Sequence, residues 1–452
     1  MQHAFVGHLF RLGRLRRGFS EFLILPVVIA GCSCVAAALL AFWDNQGSAP
    51  GLRRVAAAMI PPSGAVGFVG VVAASLMTIT SITFTVLLIA VQQTSSILGA
   101  VVFDQYLRRR ANQVYVGYFV GATAFSFIVL ACAGSGAPPV VGALVSLVLT
   151  IGALIALPLL IYSTVDQMRP ESVASSIREL AVRAHDRELR LLAGTRRQRQ
   201  APSGAAGRTV RSDDSGYVVA IDPTALAETA RSADEDAEVV LPILLGTYVA
   251  SGQTLAHLVG VHGDEDRFDA AIRAAITLDD TRQVEADSGY SIDQLLNIAW
   301  VGINSHSPLI ATAAVEQLRD LTGRWAGPEE EVDAPTGTPG TLPVVYTDGA
   351  IYSVIDGLGT LLAATARSGQ TATTRLVIAA HTHAVPCLRS GAHRTALTRS
   401  LEAALPGVEG HHPAPPLVDA LRDLVAALET AGLDGAGARS ALAAMHGAGR
   451  EH

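Results

Sequence analysis

Lysine is missing from this chain: all 33 basic residues are arginine. That absence removes whole classes of chemistry. No Walker lysine can reach a nucleotide phosphate, no lysine can form a Schiff base, and none can carry biotin or lipoate. Charge of either sign is scarce, at 16% of residues against 50% hydrophobic. The net charge of −7 is spread along the chain rather than gathered in a tail, which disfavours nucleic acid as a partner. The G-x-S-x-G, post-strand G-x-G-x-x-G and H-E-x-x-H signatures are absent, so hydrolase, dinucleotide and zincin readings have no anchor. With no convergent nucleophile, base or ligand set, the sequence reads as a non-enzyme without a cofactor or metal.

Cysteine is also rare, at Cys32, Cys34, Cys132 and Cys387. On a helix, Cys32 and Cys34 would splay about 200° apart, which disfavours both a disulfide and a metal clip. The four read as small buried hydrophobes.

What the chain has in excess is apolar length. Mean hydropathy is +0.37, too high for an ordinary soluble protein. Four runs reach the roughly 20 residues that cross a bilayer: 22–43, the stretch that starts at Gly67, 114–133 and 140–163. Arginines cluster at 11–17, at Arg108, Arg109 and Arg110, and after the fourth run. By the positive-inside rule this predicts four transmembrane helices with both termini cytoplasmic, in a bacterial inner membrane. The first run is too long for a signal peptide and has no clear small-x-small cleavage site, so it reads as a retained anchor.

The second run organises the reading. As a helix, GFVGVVAASLMTITSITFTVLLIAVQQ places Thr78, Ser81, Thr85, Gln92 and Ser96 within about a 60° sector. Leu88 and Ile89 interrupt this polar stripe. Two readings are open: a packing seam, where Ser and Thr let backbones approach, or the lining of an oligomeric pathway with Leu88 and Ile89 as a dewetting constriction. No carboxylate or arginine lies inside the span, so a proton relay or charge-selective ring is not indicated.

The expected fold is a membrane α-helical domain of four transmembrane helices over 1–165, followed by a cytoplasmic α+β region. An amphipathic stalk helix and linker occupy 166–207, with Val173, Ile177, Leu180, Ala181 and Ala184 at helical spacing. A small β module over 208–265 contains the strand-like GYVVAID and the phrase G-x-x-V-x-x-G-Q-x-L, which resembles a barrel-sandwich module. A helical module at 266–327 comprises DRFDAAIRAAITL as one helix, SIDQLLNIAWVGIN as a second and SPLIATAAVEQLRDLTGRW as a third, with Pro308 in the first turn of the last. A loop at 328–342 precedes a C-terminal helical region at 343–452, which opens with a short hairpin at VVYTDGAIYS and continues as four or five helices.

Four stretches together carry a family resemblance: SLMTITSITFTVLLIAVQQTSS with its cationic cluster, IYSTVDQMRPESVASSIREL, GYVVAID and RQVEADSGYSIDQLLNIA. Over roughly residues 10–325 the chain resembles the uncharacterised bacterial predicted-membrane-protein family that bears a domain-of-unknown-function label. The resemblance implies four membrane helices and a C-terminal soluble domain, and no assigned activity. The chain departs from the family pattern after LLNIA. There the family tends to carry a Ser-Pro … Asn-Asp-Pro … Thr-Ala phrase, but GINSHSPLIATAAVEQL has Asn304, Ser307, Pro308 and Thr312 without an Asp-Pro.

In the soluble region, Arg282 and Asp287 flank a helix start, as a ligand-contacting or a helix-entry pair, and Asp287 or Ser288 is a candidate cap. Asn304 joins them as a candidate site residue. His381 and His383 would point about 200° apart on a helix, and Pro386 disturbs the i, i+4 pair His383 and Cys387, so a metal is disfavoured. His411 and His412 read as surface. The functional expectation is a homo-oligomeric channel or transport-related membrane protein lined by Ser75, Thr78, Ser81, Thr85, Leu88, Ile89 and Gln92. The alternative is a non-conducting scaffold or sensor whose cytoplasmic domain binds a protein partner or small ligand. The lipid bilayer is the partner common to both.

Overall fold

The computed structural model describes residues 24–44, 50–98, 110–133, 138–167, 169–192, 194–196, 207–261, 266–282, 287–326, 342–409 and 414–448. The chain divides into two compact units, 1–169 and 170–452. The N-terminal Arg11–Arg17 cluster, Arg108, Arg109, the loop 328–341 and His411 and His412 lie outside the described residues.

In the first unit, α1 (Ile24–Asp44), α3, α4 and α5 are each long and apolar enough to cross a membrane. A short helix α2 (Pro50–Met59) precedes α3 (Ala65–Leu98), α4 (Arg110–Cys132) and α5 (Val140–Gln167). At 1.5 Å per residue the 34 residues of α3 extend about 51 Å, well beyond a hydrocarbon core of roughly 30 Å. Val72, Leu76, Ile79 and Leu87 of α3 pack with Phe119 of α4 and Leu160 of α5. Small residues set how close the helices come. A Cβ at Gly117 would lie 3.0 Å from the Pro26 Cα, and one at Gly121 would run into Ser33, so α4 seats its Gly-x-x-x-Gly face directly on α1. Between α3 and α4 the Thr80 and Thr123 hydroxyls meet at 2.8 Å. At the end of α1, buried Asp44 accepts from the Val141 N–H at 3.1 Å and so anchors the start of α5. One sequence expectation needs correction here. None of the four cysteines is buried: Cys32 and Cys132 are exposed, because the apolar surface of a spanning helix faces lipid as readily as protein, and Cys34 and Cys387 are half-buried.

The second unit begins with α6 (Pro170–Leu192), whose Val173, Ala174, Ile177, Ala181 and Ala184 are buried. This is the expected amphipathic face, and it packs against α9 and α10 of the same unit. The β module is two separate small sheets and two helices, not a closed barrel-sandwich. Strands β1 (Gly207–Arg211), β5 (Thr254–Val259), β3 (Glu238–Val240) and β7 (Val344–Val345) form one sheet in that order; β4 (Tyr248–Val249), β2 (Gly216–Ile221) and β6 (Ile276–Asp279) form the other. The barrel-like phrase fails to close because its halves go to different sheets: Tyr248 and Val249 pair with β2, while Thr254 onward pairs with β1. Its glycines do make turns, with φ of +79° at Gly246 and +82° at Gly252. Helices α7 (Pro223–Ala233) and α8 (Asp266–Ala274) cover the module, contributing Leu226, Phe268 and Ile272 to its core.

Two further element readings change. DRFDAAIRAAITL is not one helix, since α8 stops at Ala274 and Ile276–Asp279 pairs antiparallel with β2. β-Branched Ile276 and Thr277 gain more from that pairing than from another helical turn. VVYTDGAIYS is not a hairpin: Val344 and Val345 pair parallel with β3, and the chain turns directly into α11 (Ala350–Arg367). The module read over 208–265 thus takes β6 and β7 from later sequence.

Helices α9 (Ser288–Asn304) and α10 (Pro308–Trp325) form a tight pair, with Ala311 against Gly302 so closely that no Cβ fits there. Pro308 sits in the first turn of α10, as its missing N–H allows. After α11, helices α12 (Thr371–Cys387), α13 (Gly391–Ala404), α14 (Pro415–Thr430) and α15 (Ala436–Ala448) complete the expected C-terminal helical region.

Candidate functional site

The α3 stripe lies in the middle of the face that the other spans leave uncovered. Ser75, Thr78, Ser81, Thr85, Leu88, Ile89 and Gln92 are all exposed on the protomer, whereas Val72, Leu76, Ile79, Thr83 and Leu87 turn inward. The seam that packs α3 within the protomer is a different set, Thr80 and Thr83. On the outer face three hydroxyls return to their own helix: Ser75 donates to Val71 O at 2.9 Å, Thr78 to Ala74 O at 3.1 Å and Thr85 to Ser81 O at 3.0 Å. This back-bonding removes most of the cost of an unpartnered donor in lipid and leaves the hydroxyl oxygens able to accept. Leu88 and Ile89, 57% and 50% exposed, continue the same face.

In the second unit the polar groups converge on the N-terminus of α9. Asp287 caps the helix, accepting from the Tyr290 N–H at 2.8 Å, and is only 3% exposed. Arg282 grips the same carboxylate through Nε at 2.6 Å and Nη2 at 3.1 Å, lies over the Tyr290 ring at 4.8 Å, and reaches Asp293 with Nη1. Gly246, in its left-handed conformation, sits so close to Asp287 that a side chain there would collide with the carboxylate. One residue along, Ser288 donates to Glu188 Oε2 at 3.0 Å, and Tyr346 donates to Glu188 Oε1 at 2.9 Å while accepting from the Leu245 N–H at 3.1 Å. His185, a turn before Glu188, pairs with Asp348 at 3.0 Å and stacks on Trp325. Burial first, then the Asp348 charge, raises the Glu188 carboxyl above the ordinary carboxylate range, against the Tyr346 and Ser288 hydrogen bonds. Burial and the neighbouring Glu188 likewise push the Tyr346 phenol upward.

The family model described as predicted membrane protein (DUF2254) matches residues 20–378. The chain belongs to this family. The match includes the four spans, the β module and the α9 hub, and it ends inside α12. No curated protein and no solved structure matches the chain.

Of the residues singled out in the sequence, the fold joins Arg282 to Asp287 but leaves Asn304 apart, exposed at the other end of α9. Asn304 is the last residue of α9, at the turn into α10. There His306 takes a left-handed φ of +54°, the Ser307 N–H donates to Gly302 O at 2.8 Å, and the His306 N–H donates to Ile303 O at 3.2 Å. These two bonds form a Schellman closure with histidine in the usual glycine place. Beyond the family match, His381 is fully buried with Nδ1 on Val377 O, and burial pulls its pKa down to about 4. His383 and Cys387 approach to 3.9 Å in the last turn of α12, so Pro386 does not break that turn. Among the described residues there is no group of three metal-ligating side chains.

Sequence reasoning passed over Glu188, His185, Tyr346 and Asp348. A signal was present: Glu188 continues the buried phase of Val173, Ile177, Ala181 and Ala184, a carboxylate on an apolar face.

Proposed function

We propose that this membrane protein assembles as a homo-oligomer with the α3 stripes turned toward a shared axis, where they line a path for an uncharged or weakly hydrated species. The observation that carries the proposal is the placement of Thr78, Ser81, Thr85 and Gln92 at the centre of the outward face of α3, with Ser75 at its edge. A one-sided polar stripe gains little from lipid, and closed rotational symmetry brings copies of the same face together. Leu88 and Ile89 on that face provide the constriction that gates by dewetting. The arginine pattern supports an inner-membrane orientation with both termini in the cytoplasm. No catalytic step forms part of the proposal.

The second reading is a non-conducting sensor or scaffold. It is favoured by the anchoring of α6 through Glu188 to Ser288 and Tyr346 within the second unit.

Purified protein in liposomes discriminates the two. Ion or small-solute flux in the wild type, reduced by Thr85→Trp and absent from empty vesicles, supports the path. A monodisperse monomer by native mass spectrometry from lipid, together with no flux, overturns it.

A further inference from the structure

Beyond the membrane path, the second unit contains a groove of about 490 Å³ between α6, α10 and α12. Its lining is unlike that of the apolar core. Arg178 comes from α6, Arg319, Asp320 and Arg324 from α10, and His383 from α12. A single carboxylate oxygen, Asp320 Oδ2, holds two guanidiniums at once: Arg178 Nη1 at 3.2 Å and Arg324 Nε at 2.7 Å. Arg319 meets Glu316 at 2.7 Å on the same helix. Three guanidiniums thus face two carboxylates, an excess of one positive charge. Each guanidinium carries five N–H donors, and among the described residues the shared oxygen engages one nitrogen of Arg178 and one of Arg324. Arg178 is fixed by its position, with its side chain only 21% exposed, so its fork is held in place before any ligand arrives.

We propose that this groove is a binding site for a phosphate-type oxyanion, with Arg178 and Arg324 as its paired donors, Arg319 as the third cation and Asp320 as the internal counterion that holds the guanidiniums together in the empty state. Paired planar forks suit the several oxygens of a phosphoryl group, and the volume admits more than inorganic phosphate alone. The phosphoryl group belongs either to a soluble phosphorylated compound or to a lipid headgroup.

The test is calorimetric titration of the full-length protein in non-ionic detergent with inorganic pyrophosphate at fixed ionic strength. One-site saturable binding is expected. Arg178→Gln should weaken it by about tenfold or more, since a charge-assisted pair is lost. Arg319→Gln, which breaks only a contact within one helix turn, provides a second variant with the fold undisturbed. Arg375→Gln, exposed on α12 outside the groove, should leave binding unchanged. Asp320→Asn should tighten binding, because it removes the competing carboxylate; a purely structural salt-bridge network would show no such gain. Repeating the titration in phosphatidylcholine nanodiscs with and without phosphatidylglycerol separates the sources. Competition by phosphatidylglycerol assigns the headgroup, and its absence assigns the soluble ligand. No saturable heat up to millimolar pyrophosphate, or equal weakening by Arg178→Gln and Arg375→Gln, overturns the site.

Discussion

The two units differ in how far their polar side chains reach. In the membrane unit the hydroxyls of Ser75, Thr78, Thr85 and Ser126 all bond to carbonyls one turn back on their own helix. There the helices are positioned by steric approach, Gly117 and Gly121 of α4 against α1 and Gly142 of α5 against Val129, with a few polar contacts across helices such as Thr80 to Thr123 and Asp44 to the Val141 N–H. In the second unit, polar side chains reach across the fold instead. Glu188 joins α6 to Ser288 and Tyr346, which lie 100 and 158 residues away, and Arg208 joins β1 to Asp269 of α8. The difference follows from the solvent. In lipid a polar atom must be satisfied wherever the helix happens to sit, so the safe partner is its own backbone. In water an unpaired group can be solvated until the fold forms, so long-range pairs cost less to assemble and specify which elements meet.

The comparison breaks most visibly at Asp287. Asp287→Ala removes a helix cap and leaves the Arg282 guanidinium with Asp293 as its remaining ionic contact, so a loss of about 3 kcal/mol is expected. A fall in the melting transition of the full-length protein in detergent, read by circular dichroism, would show it. An unchanged melt would mean that Asp293 alone suffices to hold Arg282.

His381 sharpens the comparison, as a polar group in the second unit that bonds only along its own helix, in the manner of the membrane unit. Its folded pKa of about 4 lies below the ordinary 6.5. The unfolded chain therefore takes up the proton first as pH falls. The stabilisation is complete above pH 6.5 and is lost progressively down to pH 4, by on the order of 3 kcal/mol. Glu188 has the opposite sign: its raised pKa makes its contribution full at low pH and lost as pH rises through the folded value. Melting curves across pH 4–7 should flatten on the acid side in His381→Leu; a slope identical to wild type would assign the acid loss to other groups.

In the membrane unit the expected effects are steric first and polar second. Gly121→Leu drives a side chain into Ser33 and should cost about 2 kcal/mol, whereas Thr80→Val removes one interhelical hydroxyl pair and should cost only about 0.6 kcal/mol. Both are readable as shifts in detergent-induced unfolding. A larger loss for Thr80→Val than for Gly121→Leu would reverse the rule drawn from the comparison.

Much of the architecture was legible from local pattern. The four spans, the α6 apolar face, the β2 strand, the Pro308 helix start and the Asp287 cap all follow from periodicity and capping chemistry within a few residues. The misread elements depend on distant partners. Ile276–Asp279 becomes a strand only because β2 lies beside it, and Val344–Val345 extends the first sheet only because β3 offers a parallel edge. The Arg282–Asp287 pair was visible because its members are five residues apart. The Glu188 network was not, since its partners are separated by more than a hundred residues or close to it.

The sequence by itself determined that this is a four-span membrane protein of its family, that it has no lysine chemistry, and that α3 carries a polar stripe. Those properties depend on composition and on the 3.6-residue period, which every local segment carries with it. Only the tertiary structure decided that the stripe faces outward, that the barrel-like phrase divides between two sheets, and that one carboxylate draws two arginines into a groove. Each of these depends on which surfaces pack, a choice made by long-range burial and pairing that no single segment encodes.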